Sequence, residues 1–274
     1  MDSKQVQDAE LARIKAETLI ESLSWLQDFH GKVVVIKFGG NAMVDAELTR
    51  AFAQDMAYLR FVGIKPVVVH GGGPQISARL VELGIETEFR SGLRVTTPEV
   101  MQVVRDVLRN QISSDLASLV ESAGAKAIVL SGEDSNLFRA ERTTTDQAGN
   151  ALDVGLVGEV TQVNPRVVLE ALSGGVVPII STVAPDQDGQ LLNVNADLAA
   201  ASLAVALGAE KLLLLTDVAG LYSDWPNKDS LISEIRVAEL SKLMLTLESG
   251  MIPKMQSCLN ALAGGVPRAH IIDG

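Results

Sequence analysis

Six short, almost unbroken apolar runs recur along the chain: VVVIKF at 33–38, PVVVH at 66–70, AKAIVL at 125–130, VVPIIST at 176–182, KLLLLTDV at 211–218 and AHIID at 269–273. A strand that is apolar on both faces must be covered on both, which is the mark of a parallel sheet. The segments between the runs carry helix signals: Asp45 ahead of a helix that closes at Gly63, then Pro74, Thr97-Pro98, Asn164-Pro165 and Asp197. Together they predict an α/β fold, an α/β/α sandwich with an open, mainly parallel central sheet and helices on both faces. Further helices are expected at 236–247 and 253–264. The stretch from 141 to 163 has turn chemistry and alternation, which predict antiparallel excursions. Ahead of the alternation, residues 5–29 read as a helix with Leu19, Leu23 and Leu26 on one face. That face either packs on its own domain or forms an arm that docks on another subunit.

Composition narrows the function classes. The chain has 274 residues and a formal charge of −11, which argues against a nucleic-acid or anionic-membrane surface. Any phosphate it binds must be held by a few local cations. Cys258 stands alone, so no internal disulfide can form, which fits a reducing cytoplasm. The N-terminus is polar, without the apolar core of a secretory signal. The longest helical apolar stretch, LAAASLAVALGA, falls well short of the roughly 20 residues a membrane span needs. The reading is a soluble, cytoplasmic protein with neither nucleic acid nor membrane as partner.

In an open parallel sheet, ligands sit beyond the carboxyl ends of the strands. Four stretches fall there. In IKFGGN, Lys37 supplies charge while Gly39 and Gly40 let the backbone approach an anion; a strand-end lysine reaching for solvent is the alternative. In VVVHGGGPQI, Gly71, Gly72 and Gly73 lead from a strand to a helix N-terminus, which can receive a phosphate or carboxylate. Ile76 occupies the position where a dinucleotide fingerprint needs its third small residue, and no P-loop is present. His70 beside the glycines reads as a packing or supporting residue rather than a base. In NVNADLAA, Asn193, Asn195 and Asp197 gather around a helix start, where Asp197 could simply be the cap. In SGMIPKMQ, Lys254 sits in a first helical turn, where the macrodipole disfavours a cation and an anionic partner would compensate. Two lysines, two glycine-rich turns and an aspartate to orient them are the parts for phosphoryl transfer without a P-loop.

The ordered series KFGGNAM, PVVVHGGGPQI, GLRVTTPEVM, GLVGEV, NVNADLAA, AEKLLLLTDVAGLY, SGMIPKMQSCLNAL and AHIIDG closely resembles the N-acetyl-L-glutamate kinases of the amino acid kinase superfamily, from about residue 20 to 274. The resemblance implies the amino acid kinase fold and transfer of the ATP γ-phosphoryl group to the side-chain carboxylate of N-acetyl-L-glutamate, a step of arginine biosynthesis. By the same resemblance, Lys37 and Lys254 would neutralise the phosphoryl group in flight and Asp197 would hold both. Gly40 and Gly72 would donate N–H groups to its oxygens, and Gly73 would touch the substrate. Arg94 would pair with the substrate's α-carboxylate, Asn193 would hydrogen-bond its acetamido-bearing end, and Thr216 and Asp217 would lie at the nucleotide. Mg²⁺ would arrive with ATP rather than in a protein cage. Residues 1–30 would be an oligomerisation arm, 31–208 an acceptor-binding lobe and 209–274 a nucleotide-binding lobe. The arm would interlace dimers into a hexamer inhibited by L-arginine, with His270 near the effector site or simply packed in the core. Aspartate, glutamate or carbamate phosphorylation, and a non-catalytic amino-acid sensor, are the competing readings.

Overall fold

Burial on both faces of the apolar runs decides the architecture: Val34, Val35, Ile36, Val67, Val68 and Val69 are all buried, as are Ile179, Ile180, Leu212 and Leu214. The computed structural model describes residues 3–146, 149–244, 247 and 250–274. Helix α1 (Ser3–Phe29) leads into β1 (Val33–Phe38), α2 (Ala46–Phe61), β2 (Lys65–His70) and α3 (Gly73–Glu82). A hairpin of β3 (Phe89–Arg90) and β4 (Leu93–Arg94) comes next, then α4 (Pro98–Arg105), α5 (Ser113–Ser122) and β5 (Ala127–Ser131). The middle of the chain runs through β6 (Phe138–Arg142), β7 (Val157–Val163), α6 (Arg166–Ser173), β8 (Val177–Ser181), β9 (Val183–Pro185) and β10 (Leu191–Val194). It closes with α7 (Ala196–Ala206), β11 (Lys211–Thr216), β12 (Leu221–Tyr222), β13 (Leu231–Ile232), α8 (Val237–Leu243), α9 (Ile252–Ala263) and β14 (Arg268–Asp273).

The central sheet has the order β14-β11-β1-β2-β8-β5, and every pairing in it is parallel. Its six strands are the six apolar runs. The chain builds outward from β1 through β2 on one side and returns to β11 on the other, so the winding reverses between β1 and β11. Ligands bind beyond the strand ends at such a reversal. Register puts Lys37 opposite Leu214 of β11 and Val69 of β2, at the carboxyl ends of all three.

A second sheet, β6-β7-β10-β9, contains the expected antiparallel pair β6–β7 and a further antiparallel pair β9–β10 beyond the predicted stretch, while β7 and β10 run parallel. The intervening α6 and β8 carry the chain back before β10 starts, which a local reading of 141–163 does not include. Residues 147 and 148 of that stretch lie outside the described residues. The expected helix at 236–247 is observed as Val237–Leu243, and residues 245 and 246 likewise lie outside.

Several helix starts follow their predicted chemistry. The Asp45 carboxylate accepts from the N–H groups of Glu47 and Leu48, and the Thr97 hydroxyl accepts from Val100. At α7 the cap is Asn195, not Asp197: the Asn195 side chain accepts from the N–H groups of Asp197 and Leu198. Asp197 is thereby displaced into the first turn, with its carboxylate free of capping duty. The predicted apolar face of α1 is largely uncovered: Leu19 and Leu23 are 65% and 52% exposed and Leu26 is half-buried, and among the described side chains of the helix only Phe29 joins the core, beneath the Lys211 ammonium. His270, on β14, is exposed rather than packed in the core. A smaller apolar cluster of Leu221, Leu240 and Met255 lies apart from the main core.

The wall that carries Arg94 is fixed by one close backbone crossing. Thr96 bridges to Gly155, with Leu156 N–H donating to the Thr96 carbonyl at 2.7 Å. Gly155 has φ +69°, and a Cβ there would lie 2.4 Å from that carbonyl oxygen. Gly155→Ala should therefore destabilise the fold by about 1–3 kcal/mol in urea unfolding. A change smaller than about 0.5 kcal/mol, the range of an ordinary surface substitution, would contradict this crossing.

Candidate active site

Three charged side chains from distant parts of the chain meet at the sheet reversal. Lys37 comes from the end of β1, Asp197 from the first turn of α7 and Lys254 from the first turn of α9. Lys37 Nζ lies 3.1 Å from Asp197 Oδ1, and Lys254 Nζ donates to Oδ2 at 3.1 Å. The Lys37 contact is an ion pair outside hydrogen-bond alignment, since Oδ1 has no aligned donor among the described residues. Side-chain exposures of 8% for Lys37, 8% for Asp197 and 17% for Lys254 make this a largely desolvated cluster. Burial lowers the Lys37 pKa, and the attraction of Asp197 opposes this only in part. Burial alone would raise the Asp197 pKa, but the two ammonium groups outweigh it and hold the carboxyl below its usual range. Each ammonium has three N–H donors and the carboxylate engages each from one side. Such a pair is built to hold a further anion between two fixed cations.

Glycines bring backbone to the same place. Gly40 has φ +79°, and a Cβ there would stand 2.3 Å from Asp217 Oδ1, so only glycine lets the end of β1 approach the end of β11 this closely. A Cβ on Gly72 would meet Ile112 and Leu108 side chains at 2.5 and 2.7 Å. Gly73 opens α3 with nothing within 4 Å of where its Cβ would be, and no side chain caps that helix. Pro74 has no N–H and Ile76 donates to the Gly72 carbonyl, which leaves the N–H groups of Gly73 and Gln75 available to a ligand.

Two cavities flank the charged cluster. The first, of about 280 Å³, is lined by Gly72, Gly73, Arg94, Leu108, Val157 and Asn193, and reaches Ala196 beside Asp197. Arg94 Nη2 donates to the Gly73 carbonyl at 3.1 Å and to Ser77 Oγ at 2.8 Å, and its guanidinium lies over the Phe89 ring. Its Nη1 is buried with no hydrogen-bond partner among the described residues. Burial lowers the Arg94 pKa, yet a guanidinium stays charged, so an unpaired donor in this cavity calls for an anionic acceptor. Asn193 Nδ2 donates to Thr96 Oγ1 at 3.3 Å. The second cavity, also about 280 Å³, is lined by Thr216, Asp217, Leu221, Tyr222, Trp225 and Lys254. The Asp197–Lys254 bond joins the two.

The sequence-derived catalytic, substrate and nucleotide candidates thus fall into three neighbouring groups: Lys37, Asp197 and Lys254 in contact; Gly71, Gly72, Gly73, Arg94, Asn193 and Asn195 around one cavity; Gly40, Thr216 and Asp217 where β1 and β11 end, with Gly39 over the Lys37 ammonium, while His270 lies apart on β14. The sequence reading missed Phe89, Tyr222 and Trp225. For Phe89 a signal existed: the Ser91-Gly92 turn pairs Phe89 with Arg94 across the hairpin.

The family model described as "Amino acid kinase family" matches residues 32–273. The chain belongs to the amino acid kinase family. Among its curated relatives, the acetylglutamate kinase of Saccharopolyspora erythraea is 58% identical over 95% of this chain and 86% of its own length. The acetylglutamate kinase of Leifsonia xyli subsp. xyli is 57% identical over 100% and 91%. Among solved structures, N-acetylglutamate synthase from Neisseria gonorrhoeae, complexed with coenzyme A and N-acetyl-glutamate, aligns with a TM-score of 0.80 at 21% identity, over 94% of this chain and 58% of that one. At that identity the likeness shows the amino acid kinase fold and nothing finer.

His70, at the end of β2, is fully buried beside this kinase-family site, and burial drives its pKa down to about 4. The unfolded chain therefore binds a proton between pH 6.5 and 4 that the folded one refuses, so folding stability present at neutral pH is lost as the pH falls through that window. Between pH 7 and pH 5 the wild type should lose about 2 kcal/mol more than His70→Asn in urea unfolding. Parallel pH profiles for the two proteins would show that His70 is not held neutral by the fold.

Proposed function

We propose that this chain transfers the γ-phosphoryl group of ATP to the side-chain carboxylate of N-acetyl-L-glutamate, giving an acyl phosphate. The observation that carries the reading is the paired cations of Lys37 and Lys254 on Asp197, set between two cavities of which one ends in the unpaired, buried Nη1 of Arg94. The acceptor's α-carboxylate binds Arg94, Asn193 holds its acetamido end, and Leu108 and Val157 receive the methyl group. The nucleotide takes the second cavity, where Tyr222 and Trp225 offer apolar faces to a flat base and Thr216 and Asp217 lie at its edge. The relatives' names support the same acceptor.

Phosphoryl transfer asks the protein for position and charge stabilisation rather than covalent chemistry. Lys37 and Lys254 approach the phosphoryl oxygens, while Gly40 and Gly72 add N–H donors at places where a side chain would intrude. Desolvation strengthens these contacts. Mg²⁺ would arrive with ATP and would supply charge neutralisation at its phosphates. Carbamate has no α-carboxylate to satisfy Arg94, and the ammonium of free aspartate or glutamate would be poorly placed against Leu108 and Val157. An amino-acid sensor without turnover would have no use for the lysine pair.

The proposal extends to regulation and place. The exposed apolar residues of α1, among them Leu11, Ile14, Leu19, Ile20, Leu23 and Trp25, support an arm that packs on another copy, assembling three dimers into a hexamer on which L-arginine acts as inhibitor. Residues 31–208 serve the acceptor and 209–274 the nucleotide, and the enzyme works in the cytoplasm in the second step of arginine biosynthesis. Among the described residues no helix is long and apolar enough to cross a membrane.

With MgATP, N-acetyl-L-glutamate should be consumed while aspartate, glutamate and carbamate are not; turnover of any of these three instead would overturn the acceptor assignment. Lys37→Ala and Lys254→Ala should each lower kcat by about a hundredfold or more, and near-wild-type kcat in either would remove that lysine from the chemistry. Deleting residues 1–27, which spares the buried Phe29, should leave active dimers that arginine no longer inhibits. A truncated protein that stays hexameric in light scattering would refute the arm's role.

A further inference from the structure

Given the phosphoryl transfer proposed above, we infer that His70 is a positioning residue: its one N–H pins the Gly71 carbonyl so that the Gly72 amide faces the acceptor cavity, and Ser113 selects the tautomer that can do so.

The His70 ring sits between two oxygens, with Nδ1 at 2.9 Å from the Gly71 carbonyl oxygen and Nε2 at 2.6 Å from Ser113 Oγ. A neutral imidazole carries one N–H, and two arrangements are possible. With the proton on Nε2, a bare Nδ1 lone pair would face the carbonyl oxygen at 2.9 Å in a fully buried position. With the proton on Nδ1, the ring donates to Gly71 and Nε2 accepts from the Ser113 hydroxyl. Only the second arrangement gives both contacts a hydrogen. The Ser113 hydroxyl can also donate to the Leu108 carbonyl at 3.0 Å, but that carbonyl already accepts the Ser113 N–H, so giving the one hydroxyl proton to Nε2 leaves the carbonyl paired, whereas giving it to the carbonyl leaves the Nδ1–Gly71 contact without a hydrogen.

Ser113 reaches this position because the helix running from α4 into α5 widens by one residue over Asp106–Ile112, so that the Ser113 N–H reaches back five residues to Leu108 rather than four. A widened turn of this kind costs hydrogen-bond geometry and is found mostly at functional sites. The same turn presses Leu108 and Ile112 against Gly72, at 2.7 and 2.5 Å from where a Cβ would stand. Gly71 in turn donates its N–H to the Phe38 carbonyl at the end of β1. The peptide joining Gly71 to Gly72 is planar and trans, so its C=O and N–H point in opposite directions. Turning the Gly71 oxygen toward His70 turns the Gly72 N–H the other way, and no backbone carbonyl among the described residues receives it. Gly72 lines the acceptor cavity. The donor that would meet the phosphoryl oxygen is thus aimed from behind by His70, which never touches the substrate.

The test compares His70→Leu, His70→Asn and Ser113→Ala with wild type in kcat, in KM for ATP and for N-acetyl-L-glutamate, and in thermal unfolding. Loss of a preorganised amide donor lowers kcat by about 10²–10³-fold, so misaiming one should cost His70→Leu at least about tenfold, with both KM values within about threefold. The Asn side-chain N–H falls near the imidazole Nδ1 position, so His70→Asn should recover most of kcat although it leaves as large a gap in the core. Ser113→Ala, which releases the tautomer, should lose about threefold to tenfold. Wild-type kcat in His70→Leu, equal kcat losses in the Leu and Asn variants, or wild-type kcat in Ser113→Ala would each overturn the inference. Should His70→Leu fail to fold, the Asn and Ser113→Ala values decide in the same way. An inactive wild type would overturn both this inference and the proposed function, whereas an active wild type matched by His70→Leu overturns this one alone.

Discussion

Two ammonium groups buried side by side repel each other and lose their hydration, and nothing but a shared anion makes that arrangement stable. Asp197 is that anion, and the rest of the molecule can be understood as the scaffold that brings it to Lys37 and Lys254. β1 delivers Lys37 to the reversal point of the sheet, and the neighbouring first turns of α7 and α9 deliver Asp197 and Lys254. Both helices bury small residues, among them Ala199, Ala200, Ala204 and Ala261, and their far ends come so close that a Cβ on Gly264 would stand 2.3 Å from the Val205 side chain. Larger side chains along this seam would push the carboxylate away from one lysine or the other.

The neutral groups around the cluster matter as much as the charged ones. His70 lies within the field of Lys37, and were it protonated the site would hold a third cation beside a carboxylate that can balance only part of the charge. Burial and the neighbouring lysine keep it neutral. Cys258, beneath the cluster, is likewise kept as a thiol, its pKa pushed up to about 12 by burial and by Asp197. An acidic chain, at −11, therefore presents an anion-accepting site by concentrating its few useful cations behind apolar walls.

Strand runs, their parallel packing and the strand-end residues were legible because buried parallel strands leave unbroken apolar text and because lysine and glycine at their ends are conspicuous. The cap of α7 was not: Asn195 and Asp197 have similar capping propensity, and the choice was made by the two lysines, which lie 160 and 57 positions from Asp197 in the chain. The parallel β7–β10 pair was hidden for a similar reason, since its partner arrives only after another strand of the central sheet. The widened turn at Asp106–Ile112 has no signature at all, because its residues are ordinary helix formers and the extra residue is imposed by packing against Gly72 and by Ser113's bond to His70. α1 was readable as a helix, but whether its apolar residues were covered depended on contacts that sequence pattern does not carry.

The account stands or falls on whether Lys37 and Lys254 act on one phosphoryl group as a unit. A double-mutant cycle on kcat for MgATP and N-acetyl-L-glutamate, with Lys37→Ala, Lys254→Ala and the combined variant, measures this directly. Acting together, the two should give losses that fail to multiply, the double variant being little slower than the worse single one. Losses that multiply in full would mean that the two lysines work independently, and the shared site described here would be wrong.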